Sequence, residues 1–94
     1  MAKVIFTDGT IKEITPKNGT DFSIEEIKEY IDGFLEVIWL RDEHHNIMII
    51  DEEGKIKNLD SNVTATDLAV QAKAIYPYDY IAGNAVICSM NQFK

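Results

Sequence analysis

Short apolar runs broken by polar turns divide the chain into alternating strand-like and helix-like segments. Lys3–Phe6 and Thr10–Thr15 flank Asp8-Gly9 and predict a β-hairpin, because Asp-Gly accepts the positive φ angles of a tight type I′ turn. In the second strand Ile11, Glu13 and Thr15 alternate with Lys12 and Ile14, so one face is only partly buried, and Pro16 ends the run. Phe22-Ser23-Ile24-Glu25-Glu26-Ile27 carries a helix start. Ser23 and Glu26 have the spacing of a capping box, and Phe22 and Ile27 that of a hydrophobic staple. Ile24, Ile27 and Ile31 form the apolar stripe, and Gly33 supplies a left-handed residue to stop the helix.

Phe34–Arg41 is apolar almost throughout, interrupted only by Glu36, which predicts a central strand covered on both faces. Ile47–Ile50 and Lys55–Leu59 read as two further strands joined by the turn Asp51-Glu52-Glu53-Gly54. Thr64, followed three residues later by Asp67, is the expected cap of a second helix carrying Leu68, Ala69, Ala72 and Ile75 and ending at Tyr76-Pro77. An aromatic connector then leads to a last strand, Ala85–Ser89. The predicted order is ββαβββαβ, an α+β domain in which two helices pack on a mainly antiparallel sheet of five to six strands. At 94 residues the chain holds one domain, residues 1–94.

Composition narrows the function. Sixteen acidic against nine basic side chains give a net charge of -7, which repels nucleic-acid phosphates and anionic lipid, so neither direct nucleic-acid nor membrane binding is expected. The apolar run near the start is too short for a signal-peptide core or a membrane span, which places the chain in the cytoplasm. The lone Cys88 reads as a small buried residue in a strand.

No nucleophile elbow, phosphate-cradling glycine loop or zinc-ligand pair is present, and His44-His45 point to opposite sides of an extended loop. No catalytic residue, metal site or cofactor is therefore assigned, and the chain is not expected to be an enzyme. Three sets of residues suit binding. Trp39 and Arg41, two apart on one strand, share a face and can flank a flat ligand; alternatively, Trp39 is core and Arg41 a rim charge. In an extended segment Tyr76, Tyr78 and Tyr80 present their rings on one side, as a recognition surface or as cover for a sheet edge. Asn62, Thr64 and Thr66 cluster where a helix begins, to hold a polar ligand or only to cap the helix.

Gly33-Phe34-Leu35-Glu36-Val37-Ile38, Asp51-Glu52-Glu53-Gly54-Lys55, Asn62-Val63-Thr64-Ala65-Thr66-Asp67-Leu68 and Asp79-Tyr80-Ile81-Ala82-Gly83-Asn84-Ala85-Val86, in this order, resemble the domain of unknown function family 3846. That family is carried by bacteria, their mobile elements and phages. The resemblance implies a small accessory protein of phage or mobile-element type acting in a bacterial host cell, where counter-defence proteins are common.

Two functions follow as expectations. The first is a non-enzymatic module that sequesters a small molecule, such as a nucleotide-type defence signal, at the interface of a homo-oligomer, because so short a chain has little depth for a pocket of its own. An anionic ligand then requires Arg41 to gather with some of Lys3, Lys12, Lys17 and Lys73. The alternative is an acidic protein-interaction inhibitor that blocks a basic, nucleic-acid-binding surface of a host factor.

Overall fold

The computed structural model describes residues 2–93. Five strands, β1 (Ala2–Ile5), β2 (Ile11–Ile14), β3 (Leu35–Trp39), β4 (Asn46–Asp51) and β5 (Ala85–Ser89), form one sheet in the order β2-β1-β5-β4-β3. Every neighbouring pair is antiparallel. Helix α1 (Ile24–Lys28) joins β2 to β3, helix α2 (Val63–Gln71) lies between β4 and β5, and a 3-10 turn (Met90–Gln92) follows β5. The α+β class matches the sequence reading; the order is ββαββαβ, one strand fewer than predicted.

The two helices lie on opposite faces. Val4, Ile49, Val86 and Cys88 pack with Phe22, Ile27 and Ile31 on the α1 side. Their chain neighbours Ile5, Met48, Ile50 and Ile87 pack with Ala65 and Ala69 on the α2 side. Successive strand residues point to alternate faces, so the unbroken apolar runs of β4 and β5 feed two cores at once. Ala65 and Ala69, four apart and fully buried, let α2 seat close to the sheet. Cys88 sits in the α1-side core, and burial pushes its thiol up to about 11, leaving it protonated and inert.

The local signals at α1 are present as read. The Ser23 hydroxyl accepts from the Glu26 amide at 3.2 Å, and the Glu26 carboxylate accepts from the Ser23 amide at 3.0 Å and from the Lys17 amide at 2.9 Å. Phe22 and Ile27 are both buried in one cluster. These hydrogen bonds hold the Glu26 carboxyl below its ordinary value. The helix nevertheless ends at Lys28, well before Gly33, whose φ of +88° instead lets the chain pass close to the Asp51 carboxylate and the Lys57 ammonium.

Several expectations are corrected by the structure. Asp8-Gly9 is not a type I′ turn. Gly9 alone has positive φ there, the Gly9 amide donates to the Phe6 carbonyl and the Phe6 amide to the Thr10 carbonyl, which makes a three-residue loop with a glycine bulge. Lys55–Leu59 is a run of turns rather than a strand. Lys57 Nζ donates to the buried Asp51 carboxylate at 2.7 Å, which folds the segment back and leaves Ile56 82% exposed. Strand β3 is an edge, not a central strand, because among the described residues only β4 pairs with it. Helix α1 accounts for its exposure. Five residues give a helix of about 7.5 Å, against roughly 19 Å across five strands, and on the α1 face of β3 Leu35 packs against the core while Val37 and Trp39 are left exposed.

Helix α2 is capped by Asn62, not Thr64, and stops at Gln71, with Lys73 in a left-handed conformation (φ 58°) before Tyr76-Pro77 is reached. The Asn62 side chain is fully buried. Its Oδ1 accepts from the Ala65 amide at 3.0 Å, and its Nδ2 donates to the carbonyls of Ile5 at 2.9 Å and Gly83 at 3.0 Å. Its backbone amide donates to the Ile81 carbonyl at 2.8 Å.

Two predictions follow. Asn62→Asp keeps the capping oxygen but loses both donors and buries a carboxylate beside two carbonyls. It is expected to cost at least about 3 kcal/mol. The melting temperature then falls by more than about 10 °C, whereas Thr64→Ala shifts it by less than about 3 °C; calorimetry decides. Ser23→Ala is expected to cost about 1 kcal/mol, or roughly 4–8 °C. Because the folded Glu26 carboxyl is depressed, its share of stability is present above its ordinary 4.5 and is lost as pH falls through the lower folded value. Acid titration of the melting temperature should show that loss in wild type and less of it in Glu26→Gln.

Candidate functional site

On the α2 side, the chain leaving α2 runs alongside β3 and encloses an open groove. Two adjoining depressions of about 460 and 170 Å³ share Glu36, Ile38, Ile75 and Asp79. The larger is an open surface depression rather than an enclosed cavity. Alternation along β3 turns Glu36 and Ile38 to this side, and Ile38 and Ile75 extend the α2-side core to form the apolar floor.

Charge is placed unevenly along the groove. Arg41 and Lys73 stand at the wide end, and neither forms an ion pair among the described residues. The Arg41 backbone amide donates to the Ala72 carbonyl at 3.2 Å, joining the end of β3 to the end of α2 and bringing the two cations to one opening. At the narrow end Lys55 is paired with Asp79, and its ammonium also lies 4.6 Å from the centre of the Tyr80 ring. The Lys55 hydrogen bond, helped by the Tyr80 amide at 2.8 Å, holds the Asp79 carboxyl below its ordinary value and raises Lys55. A carboxylate held this way is a weak base.

The tyrosines do not form an extended row. The Asp79 amide donates to the Tyr76 carbonyl at 2.9 Å, closing a turn in which the Tyr76 and Tyr78 rings stack 5.4 Å apart and 5° from parallel. Tyr76 lines the wide end of the groove and Tyr80 the narrow end, while Tyr78 leans on Tyr76 from outside and is 83% exposed.

The remaining residues named from the sequence are placed elsewhere. Trp39, 59% exposed, lies opposite Ile47 and so on the α1 face. Arg41 follows the last strand residue and lines the α2-side groove, so the alternation that would give the two one face is not continued. Asn62 is buried, with both amide protons used within the fold. The Thr66 hydroxyl accepts from the Ile81 amide at 2.9 Å, and Thr64 lies half-buried in the first turn of α2. Of the lysines named with Arg41, only Lys73 joins it. Lys12 and Lys17 line a cleft on the α1 side with Glu13, Glu26 and Glu29, and Lys3 lies by Glu13 and Asp42. Glu36, Lys55 and Asp79 went unnamed as site residues, since only the path of residues 73–81 past β3 brings them together.

The geometry therefore defines an α+β fold: a two-faced antiparallel sheet with a groove between an edge strand and the tail of a helix. The chain belongs to the family described as domain of unknown function DUF3846, which it matches over residues 3–93. No curated protein and no solved structure shows significant similarity to it. No helix among the described residues is long and apolar enough to cross a membrane, and these residues contain no group of three or more potential metal ligands.

If Lys55 is what depresses Asp79, Lys55→Met should move the Asp79 carboxyl up towards its ordinary 3.8, as followed by NMR titration. In wild type the pair's small contribution to stability is present above that value and is lost as pH falls through the lower folded value. An unchanged Asp79 titration in Lys55→Met would refute the assignment.

Proposed function

We propose that the protein is a non-enzymatic binding module whose groove holds an organic anion bearing a flat ring, of the nucleotide kind. The observation that carries this reading is the meeting of Arg41 and Lys73, both without an ion pair among the described residues, at one end of a groove whose nearest carboxylates are Glu36 and the Lys55-paired Asp79, in a chain of net charge -7. A phosphate suits the cations, since an arginine fork binds such groups in bidentate fashion. A base suits the Tyr76 ring, which is already braced by Tyr78, and the Ile38 and Ile75 floor. Holding, rather than conversion, fits the state of the groove carboxylates: Asp79 is occupied by Lys55 and Asp51 by Lys57, and Glu36 and Glu52 complete the acidic lining. A phage or mobile-element protein that sequesters a nucleotide-type host defence signal in the bacterial cytoplasm is the biological form of this proposal.

The alternative, an acidic inhibitor of a basic host surface, draws less support. The carboxylates at α1 are partly neutralised locally, with Lys17 3.7 Å from Glu29 and beside Glu26.

Calorimetry against AMP, ADP-ribose and cyclic nucleotides tests the proposal. A fixed stoichiometry is expected, with affinity falling as salt rises. Arg41→Ala and Lys73→Ala should each weaken binding by about 10- to 100-fold, the effect of losing one charge-assisted contact, with little change in melting temperature. Trp39→Ala should bind as wild type. Ligand released by heat should be chemically unaltered. No heat with any nucleotide, or binding indifferent to Arg41 and Lys73, refutes the groove reading; altered ligand refutes the non-enzymatic one.

A further inference from the structure

The free edge of β3 is self-complementary. The Leu40 amide donates to the Asn46 carbonyl and the Glu52 amide to the Phe34 carbonyl, so the even-numbered residues of this stretch turn their backbone groups towards β4. Leu35, Val37 and Trp39 therefore turn theirs outward, and no hydrogen bond to those groups is recorded among the described residues. The Arg41 amide, next in the outward series, is already taken by the Ala72 carbonyl, which closes the edge at that end.

We propose that two copies of the chain pair antiparallel through this edge, about a two-fold axis at Val37, and so join their grooves. In this register Val37 faces Val37 of the second copy and Leu35 faces Trp39, each pair exchanging N–H and C=O, and all three outward residues are used. A shift by one residue towards the C-terminus needs the Arg41 amide, which is not free.

The apolar side chains favour this register on the α1 face. On the α1 face, where Val37 is 37% and Trp39 59% exposed, the pairing forms an apolar ladder in which each Trp39 covers a Leu35. On the α2 face, Glu36 of one copy lies across from Ile38 of the other and diagonal to the other copy's Glu36. The two carboxylates flank the groove ends that hold Arg41 and Lys73, which form no ion pair among the described residues and can offset their repulsion. The opposite edge does not permit this. A register centred on either middle residue of β2 sets Lys12 against Lys12 or Glu13 against Glu13.

Self-association is independent of whether the groove takes a nucleotide, and it is tested without ligand. Sedimentation from about 5 to about 500 µM, the range suited to a small edge interface, should show conversion of monomer to dimer. The emission of the single tryptophan should shift to the blue in parallel as Trp39 is covered. Val37→Lys and Val37→Glu each place like charges on the axis and should be monomeric throughout, with melting temperatures near wild type at low concentration. Mixed in equal amounts, they should form a heterodimer. A wild type that stays monomeric at the highest concentration overturns the proposal. So does a dimer that survives in Val37→Lys, and so does failure of two folded variants to associate when mixed.

Discussion

The buried side chain of Asn62 is the constraint on which the rest of the architecture depends. Its three hydrogen bonds reach the end of β1, the approach to β5 and the first turn of α2, and its own amide holds Ile81. A buried amide is stable only with its donors satisfied, so these segments must meet at one point or not at all. Asn84 does a related task on the other side of the same region, donating to the Tyr30 carbonyl at 3.0 Å and accepting from the Thr7 amide at 3.3 Å. With α2 fixed at its first turn and seated by Ala65 and Ala69, its far end is carried to β3, where the Ala72 carbonyl meets the Arg41 amide. The groove is thus a consequence of a helix anchored at its start and sheet-bound at its finish.

What could be read from the sequence follows from the range of the interactions. The capping box at Ser23 and Glu26 and the Phe22–Ile27 staple close within five residues, so local spacing contains them. Strands β4 and β5 were legible because a run buried on both sides is apolar at every position. The same rule misplaced β3: Leu35–Trp39 is as apolar as a central strand, and only the short span of α1 and the absence of a second partner strand leave it at the edge. Lys55–Leu59 alternates like a strand, and the salt link from Lys57 to Asp51 that overrides this pattern depends on tertiary geometry. At the groove, Arg41 and the tyrosines stood out by their chemistry, whereas Glu36, Lys55 and Asp79 carried no distinguishing spacing and are functional candidates only through the path of the chain after α2.

Net charge alone is a poor guide to what such a protein holds. At a Debye length of about 8 Å in physiological salt, a ligand in the groove responds mainly to its immediate neighbours. There the pairing of Asp79 with Lys55 offsets one carboxylate, and Arg41 and Lys73 remain against the single carboxylate of Glu36. The acidity of the rest of the surface discourages long polyanions, whose extended charge would meet the carboxylates at α1, the acidic turn at residues 51–53 and Asp60. Asp51 and Glu52 of that turn also line the narrow end of the groove, so in the proposed reading a compact anion is least opposed at the wide end, beside Arg41 and Lys73.

The edge and the groove share strand β3, whose alternate residues serve each. Outward backbone groups of Leu35, Val37 and Trp39 form the proposed pairing edge, while Glu36 and Ile38 between them face the groove. Any ligand that touches Glu36 or Ile38 in both copies must favour the paired form by its difference in affinity for the two states, and pairing must favour the ligand by the same factor. A sheet edge protected by inward charge or by proline would have no such coupling. Strand β3 has neither in its outward positions, and its one carboxylate lies on the groove side, where the unpaired cations of a second copy would offset it. The exposed apolar edge, a liability in a monomer, is in this arrangement the element through which occupancy of the groove and the association state are linked.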